Sequence, residues 1–138
     1  MINNTRLLLR KELVKIFHSH SIKILAAREI DGYNEPSPLF NDGYGDQKEK
    51  SPDIIGYDKE RECYVLGIVK TETDNLESLE CLTEYDVFFD HHNSLNKKSS
   101  RVYYILPPSR IEEFTAIITH YIHREYWGNL VIVRSLQQ

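Results

Sequence analysis

Apolar positions Leu9, Leu13, Ile16 and Phe17 recur at the spacing of one helix face, which predicts a first helix over 3–17 with Asn3, Asn4 or Thr5 available as its N-cap. Ile22, Ile24, Leu25, Ala26 and Ala27 cluster after a short polar break and predict a strand over 22–30. Residues 31–51 then lose all period: Gly32, Gly43, Gly45, Pro36, Pro38 and several Asx residues leave a long loop, of the kind that is often a lid or a binding segment. It is expected to be mobile or to cover one edge of any site. Two apolar runs, 52–57 and 62–69, flank the tight turn Asp58-Lys59-Glu60-Arg61 and read as a hairpin.

Leu76, Leu79, Leu82, Tyr85 and Phe89 carry a second helix from about Asn75 to Phe89. A loop at 97–100 leads into the β-branched and aromatic strand 101–106, ended by Pro107-Pro108. Ser109 can cap a third helix running to about Glu125, Gly128 closes it, and 130–133 is the last strand. The order α-β-β-β-α-β-α-β predicts one α/β domain over 1–138, a mixed central sheet flanked by helices on both faces.

Composition agrees with one core: 138 residues, 41% apolar and 28% charged. The uncharged runs 63–69 and 102–109 are far shorter than the roughly 20 residues that cross a bilayer, and 1–10 lacks a signal-peptide core, so no membrane and a cytoplasmic location are expected. Cys63 and Cys81 are expected to be reduced core residues. The net charge of −4 is uneven, because Glu72, Asp74, Glu77, Glu80, Glu84, Asp86 and Asp90 occur with no Lys or Arg among them, leaving +3 elsewhere. Charge alone therefore makes no case for nucleic acid. Local clusters exist, Arg6, Arg10, Lys11 and Lys15 on the first helix and Lys97, Lys98 and Arg101 before the fourth strand, and ordinary solubilising surface accounts for them as well as phosphate contact does.

Pro52-Asp53 opens one hairpin strand and Gly67-Ile68-Val69-Lys70 ends the other, just before the acidic helix. In this order of elements and in these two motifs the chain resembles the PD-(D/E)xK nuclease superfamily over most of its length. The resemblance implies a restriction-endonuclease-like core and Mg²⁺-dependent hydrolysis of DNA phosphodiesters, in which carboxylates hold the ion and a lysine orients the attacking water. Asp53 and Lys70 are the matching positions, and Glu12 is the acid of the opening helix. The second acid should stand two residues before the lysine, on the same strand face, where this chain has Ile68. A subgroup of restriction endonucleases takes that acid from the following helix with thirteen residues between, the spacing of Lys70 and Glu84. Glu72, two positions past Lys70, is another substitute. The implied metal ligands are then Asp53, Glu84 and Glu72, and the catalytic set Asp53, Lys70, Glu84 and Glu12.

Three geometric expectations follow. Asp53 and Lys70 should share one face of adjacent strands, Glu84 should approach Asp53 to roughly 4–6 Å, and crowding should raise at least one carboxylate pKa. A different class of function also fits: a non-catalytic module whose acidic segment 72–90 recognises a basic protein or a second copy of the chain. Ile68 favours that reading and the Lys70–Glu84 spacing favours the enzyme. The histidine pairs His18/His20, His91/His92 and His120/His123 lack a third ligand at zinc spacing, and the oxygen-rich run 41–46 lacks the glutamate of a calcium loop. Tyr103 and Tyr104 should point to opposite faces of their strand.

Overall fold

Two of the most apolar segments, β3 (Cys63–Val69) and β4 (Arg101–Leu106), lie parallel at the centre of a five-stranded mixed sheet. The remaining elements, in chain order, are α1 (Thr5–Ser19), β1 (Lys23–Ala27), β2 (Ile54–Asp58), α2 (Leu79–Asp90), α3 (Ile111–Tyr121) and β5 (Leu130–Arg134). This computed structural model describes residues 4–41, 43 and 45–136, so Asn3, one of the expected caps, and Asp42 and Tyr44 of the oxygen-rich run lie outside the described residues. Sheet order is β1-β2-β3-β4-β5, with β1, β2 and β3 antiparallel and β3, β4 and β5 parallel.

Alternation on the central strands builds two cores. Val65, Val69, Tyr103 and Ile105 face α1 and meet Leu9, Leu13 and Phe17. Leu66, Ile68, Val102, Tyr104 and Leu106 face the other way, onto Tyr85, Phe88 and Phe89 of α2 and Phe114 and Ile118 of α3. Tyr103 and Tyr104 thus do part to opposite faces. Gly67 lets α1 come close: a β-carbon there would stand 2.9 Å from Leu13 Cδ2 and 3.0 Å from Phe17 Cζ.

Several boundaries differ from the sequence reading. β1 stops at Ala27 because the chain turns at Arg28 and Glu29, the latter at φ 55°. α2 starts at Leu79, since the Ser78 hydroxyl accepts from Cys81 N at 3.1 Å while Asn75 uses its side chain on Glu77 N in a local turn. Ser109 lies inside a 3-10 turn, Pro108–Arg110, and α3 ends at Tyr121 because the chain turns extended at Ile122 (ψ 152°) before a second 3-10 turn, Arg124–Asn129, which holds Gly128.

Among the described residues of 31–51 there is no regular structure beyond the Leu39–Lys50 bridge, yet the loop is tied to the body. Asp46 N donates to Thr83 Oγ1 of α2 at 3.0 Å, buried Lys50 pairs with Asp46, and Arg28 holds the Ser51 hydroxyl at 2.7 Å. Among the described residues no helix is long and apolar enough to cross a membrane.

Candidate functional site

Antiparallel pairing brings the start of β2 beside the end of β3, and this corner collects most of the buried charge. Asp53 stands just before β2 with its backbone held on both sides: its N–H donates to Gly67 O at 2.9 Å and its carbonyl accepts from Arg28 N at 2.8 Å. The strand pairing stops at Ile54–Gly67, and Asp53 and Lys70 stand just outside their strands. Contrary to the shared face expected, their side chains turn to helices on opposite sides of the sheet, Asp53 to Arg10 of α1 and Lys70 to Cys81 and Glu84 of α2. Asp53 Oδ1 accepts from Arg10 Nε at 2.8 Å, with Arg28 Nε at 3.7 Å, and Oδ2 accepts from Val69 N at 2.9 Å.

Arg10 is itself buried, at 6% exposure. It occupies the α1 stripe that continues through Leu13 and Phe17, and Arg6, one turn earlier, donates to Val69 O at 3.2 Å and to both oxygens of Asp74 at 2.9 Å. Two members of the expected basic patch on α1 are therefore counter-ions within the fold's own network, Arg10 buried and Arg6 still 39% exposed. Burial pushes the Asp74 carboxyl up, but the Thr71 N–H, Arg6 and Lys70 outweigh it and hold the group below its ordinary value. That is opposite to the rise expected of crowded acids.

Lys70 follows β3, its N–H donating to Ile105 O at 3.1 Å, and its buried ammonium donates to Glu84 Oε1 at 2.7 Å and to Cys81 Sγ at 3.4 Å. Cys81 and Glu84, three positions apart on α2, straddle it. Burial disfavours the charge on Lys70, yet Glu84, Cys81 and Asp74 prevail and its pKa lies above the ordinary value. Tyr104, opposite Ile68 on β4, completes the wall, its ring centroid 4.7 Å from that of Phe114. Its hydroxyl is the one buried side-chain oxygen or nitrogen among the described residues without a hydrogen-bond partner, and burial, with Glu84 and Asp53 nearby, pushes its pKa well up.

Two expected site residues lie elsewhere. Glu12 accepts from Ser135 Oγ and Leu136 N, both at 2.8 Å, and so anchors the chain beyond β5, three strands or about 14 Å across the sheet from Asp53. It points there because it sits 200° around α1 from Arg10. Glu72 turns outward to the Ser109 hydroxyl, while its carbonyl and that of Thr71 accept from Arg110 at 2.8 and 2.9 Å. Arg10, Arg28 and Tyr104 escaped the sequence reading as site residues. For Arg10 a signal existed: it lies on the apolar stripe of α1, where a charge needs a buried partner.

A magnesium ion demands carboxylate oxygens at about 2.1 Å in octahedral array. Here both Asp53 oxygens are already hydrogen-bonded beside two guanidinium groups, and Glu84 is bound to Lys70. Among the described residues no three His, Cys, Asp or Glu side chains gather as a metal-binding group. Two of the histidines bind hydroxyl groups, His20 that of Tyr103 at 2.8 Å and His91 that of Ser100 at 2.6 Å. The donor set does not fit the metal in this arrangement. No protein-family model, no curated protein and no solved structure matches the chain.

Proposed function

We propose that the chain is a divergent PD-(D/E)xK-type domain with a restriction-endonuclease-like core that binds a protein partner through α2 and does not hydrolyse phosphodiesters. The order of elements, with Asp53 at the start of β2 and Lys70 at the end of the paired β3, supports the kinship. The reading rests on one observation: Asp53 gives Oδ1 to Arg10 and Oδ2 to the Val69 N–H, so a metal would have to evict a buried guanidinium and leave it uncompensated beside a dication. Nucleic acid is the weaker partner, because Arg10 is buried against Asp53, Arg6 is paired with Asp74, and only Lys11 and Lys15 of that cluster are exposed and outside any ion pair among the described residues. Glu77, Glu80, Asp86 and Asp90, by contrast, leave α2 and the turn before it exposed and acidic.

Incubation of supercoiled plasmid and single-stranded DNA with the protein and Mg²⁺ or Mn²⁺ tests this. Cleavage should not exceed that of Asp53→Asn. A second reading draws on the 2.7 Å contact of Lys70 with Glu84, which brings the helix acid to the lysine as a migrated ligand would. It requires Arg10 and Lys70 to release both acids, and it predicts cleavage that Asp53→Asn and Glu84→Gln each abolish.

A further inference from the structure

A cleft of about 430 Å³ opens between α2, the 31–51 loop and the end of α3, away from the Asp53 corner. Its charged wall is Asp86 and Asp90, one turn apart on α2 and both exposed. Aromatic side chains also line it, among them Phe40 from the loop, Tyr121 at the end of α3 and Tyr126 from the 3-10 turn after it. Among the described lining residues there is no lysine or arginine, and the only base is His123, whose ring accepts from Glu125 N at 3.1 Å.

The Tyr121 hydroxyl donates to Asp86 Oδ2 at 2.7 Å, which leaves Oδ1 without a hydrogen-bond partner among the described residues. Burial, with the hydrogen bond to Asp86 and its charge, pushes that phenol up to about 12. The Tyr126 ring stands against Phe89, centroids 6.2 Å apart, and Phe40 lies 81% exposed at the lip.

We infer that this cleft receives the guanidinium of an arginine side chain presented by a protein partner. A planar, weakly hydrated cation can bond carboxylate oxygens with its fork and stack on tyrosine at once, whereas an ammonium meets the acids as a point charge and leaves the rings unused. The exposed Phe40 ring argues for a polypeptide source, because the residues flanking the arginine would cover apolar area that the free amino acid leaves in water. The inference rests on the binding-domain reading and names its partner's chemistry.

The test is an NMR titration with the capped pentapeptide Gly-Leu-Arg-Leu-Gly, its lysine and citrulline counterparts, and acetyl-arginine amide. The arginine peptide should shift the Phe40, Tyr121 and Tyr126 signals and bind roughly tenfold tighter than the lysine peptide, with no comparable shift from citrulline. Asp86→Asn/Asp90→Asn, and independently Tyr126→Leu, should each weaken it by roughly tenfold with the remaining spectrum unchanged. Equal binding of arginine and citrulline peptides, indifference to these variants, or no shifts at millimolar peptide overturns the inference. Acetyl-arginine amide matching the peptide overturns the polypeptide source. DNA cleavage in the plasmid assay would instead overturn the binding-domain reading and leave the peptide result standing.

Discussion

Arg10 and Asp53, 43 positions apart in the chain, meet at 2.8 Å with both side chains almost wholly withdrawn from water. Such a pair repays its desolvation only while both members are present. Asp53→Ala should therefore cost about 3–5 kcal/mol in urea unfolding, because Arg10 is left buried and unpaired. Arg10→Met/Asp53→Leu should recover most of that loss. A single-variant cost below about 1 kcal/mol would show that the pair does not hold this corner.

Lys70 and Glu84 form the second pair, and a cycle through Lys70→Met and Glu84→Gln should give a coupling of roughly 0.5–3 kcal/mol. Its pH dependence has a definite sign. The lysine's folded pKa is raised above its ordinary 10.5, so its contribution is complete below that value and disappears as pH rises through the folded pKa. Glu84→Gln should flatten the alkaline limb of the stability curve, and an unchanged limb would contradict the pairing.

His91 acts in the opposite range. Burial, then the neighbouring His92, depress its pKa below the ordinary 6.5, so the unfolded chain takes up a proton before the native state does. Stability should fall on acidification below 6.5, by at most about 1.4 kcal/mol per pH unit, until the folded group titrates too. His91→Gln should remove that component, read from urea midpoints across pH 5–7.

Gly67→Ala should cost about 1–3 kcal/mol, since Leu13 and Phe17 of α1 must retreat from the new methyl group. Gly128→Ala, with nothing within 4 Å, is the control and should stay within about 0.5 kcal/mol of the parent. Equal costs at the two positions would mean that α1 does not press on β3 as described.

Much of this architecture was legible because burial writes itself into pattern. β3 and β4 are apolar on both faces, which marks them as central, and the hairpin and crossover helices follow from their spacing. The site was legible only in part. Asp53, Lys70 and Glu84 could be singled out by position, and Lys70 and Glu84 do meet. Partner choice could not be read, because it depends on how far each helix rotates: on α1 that decides that Arg10 rather than Glu12 faces Asp53. Helix starts shifted for a similar reason, as Asn75 and Ser78 are both good caps and tertiary packing selected the second.

The most direct test of a metal-free centre is calorimetric titration of Mn²⁺ into the intact protein beside Asp53→Asn and Glu84→Gln. With Asp53 held by Arg10 and the Val69 N–H, and Glu84 by Lys70, millimolar Mn²⁺ should give no binding heat in any of the three proteins. Stoichiometric binding to the parent that either substitution abolishes would contradict the account and establish the corner as a metal site.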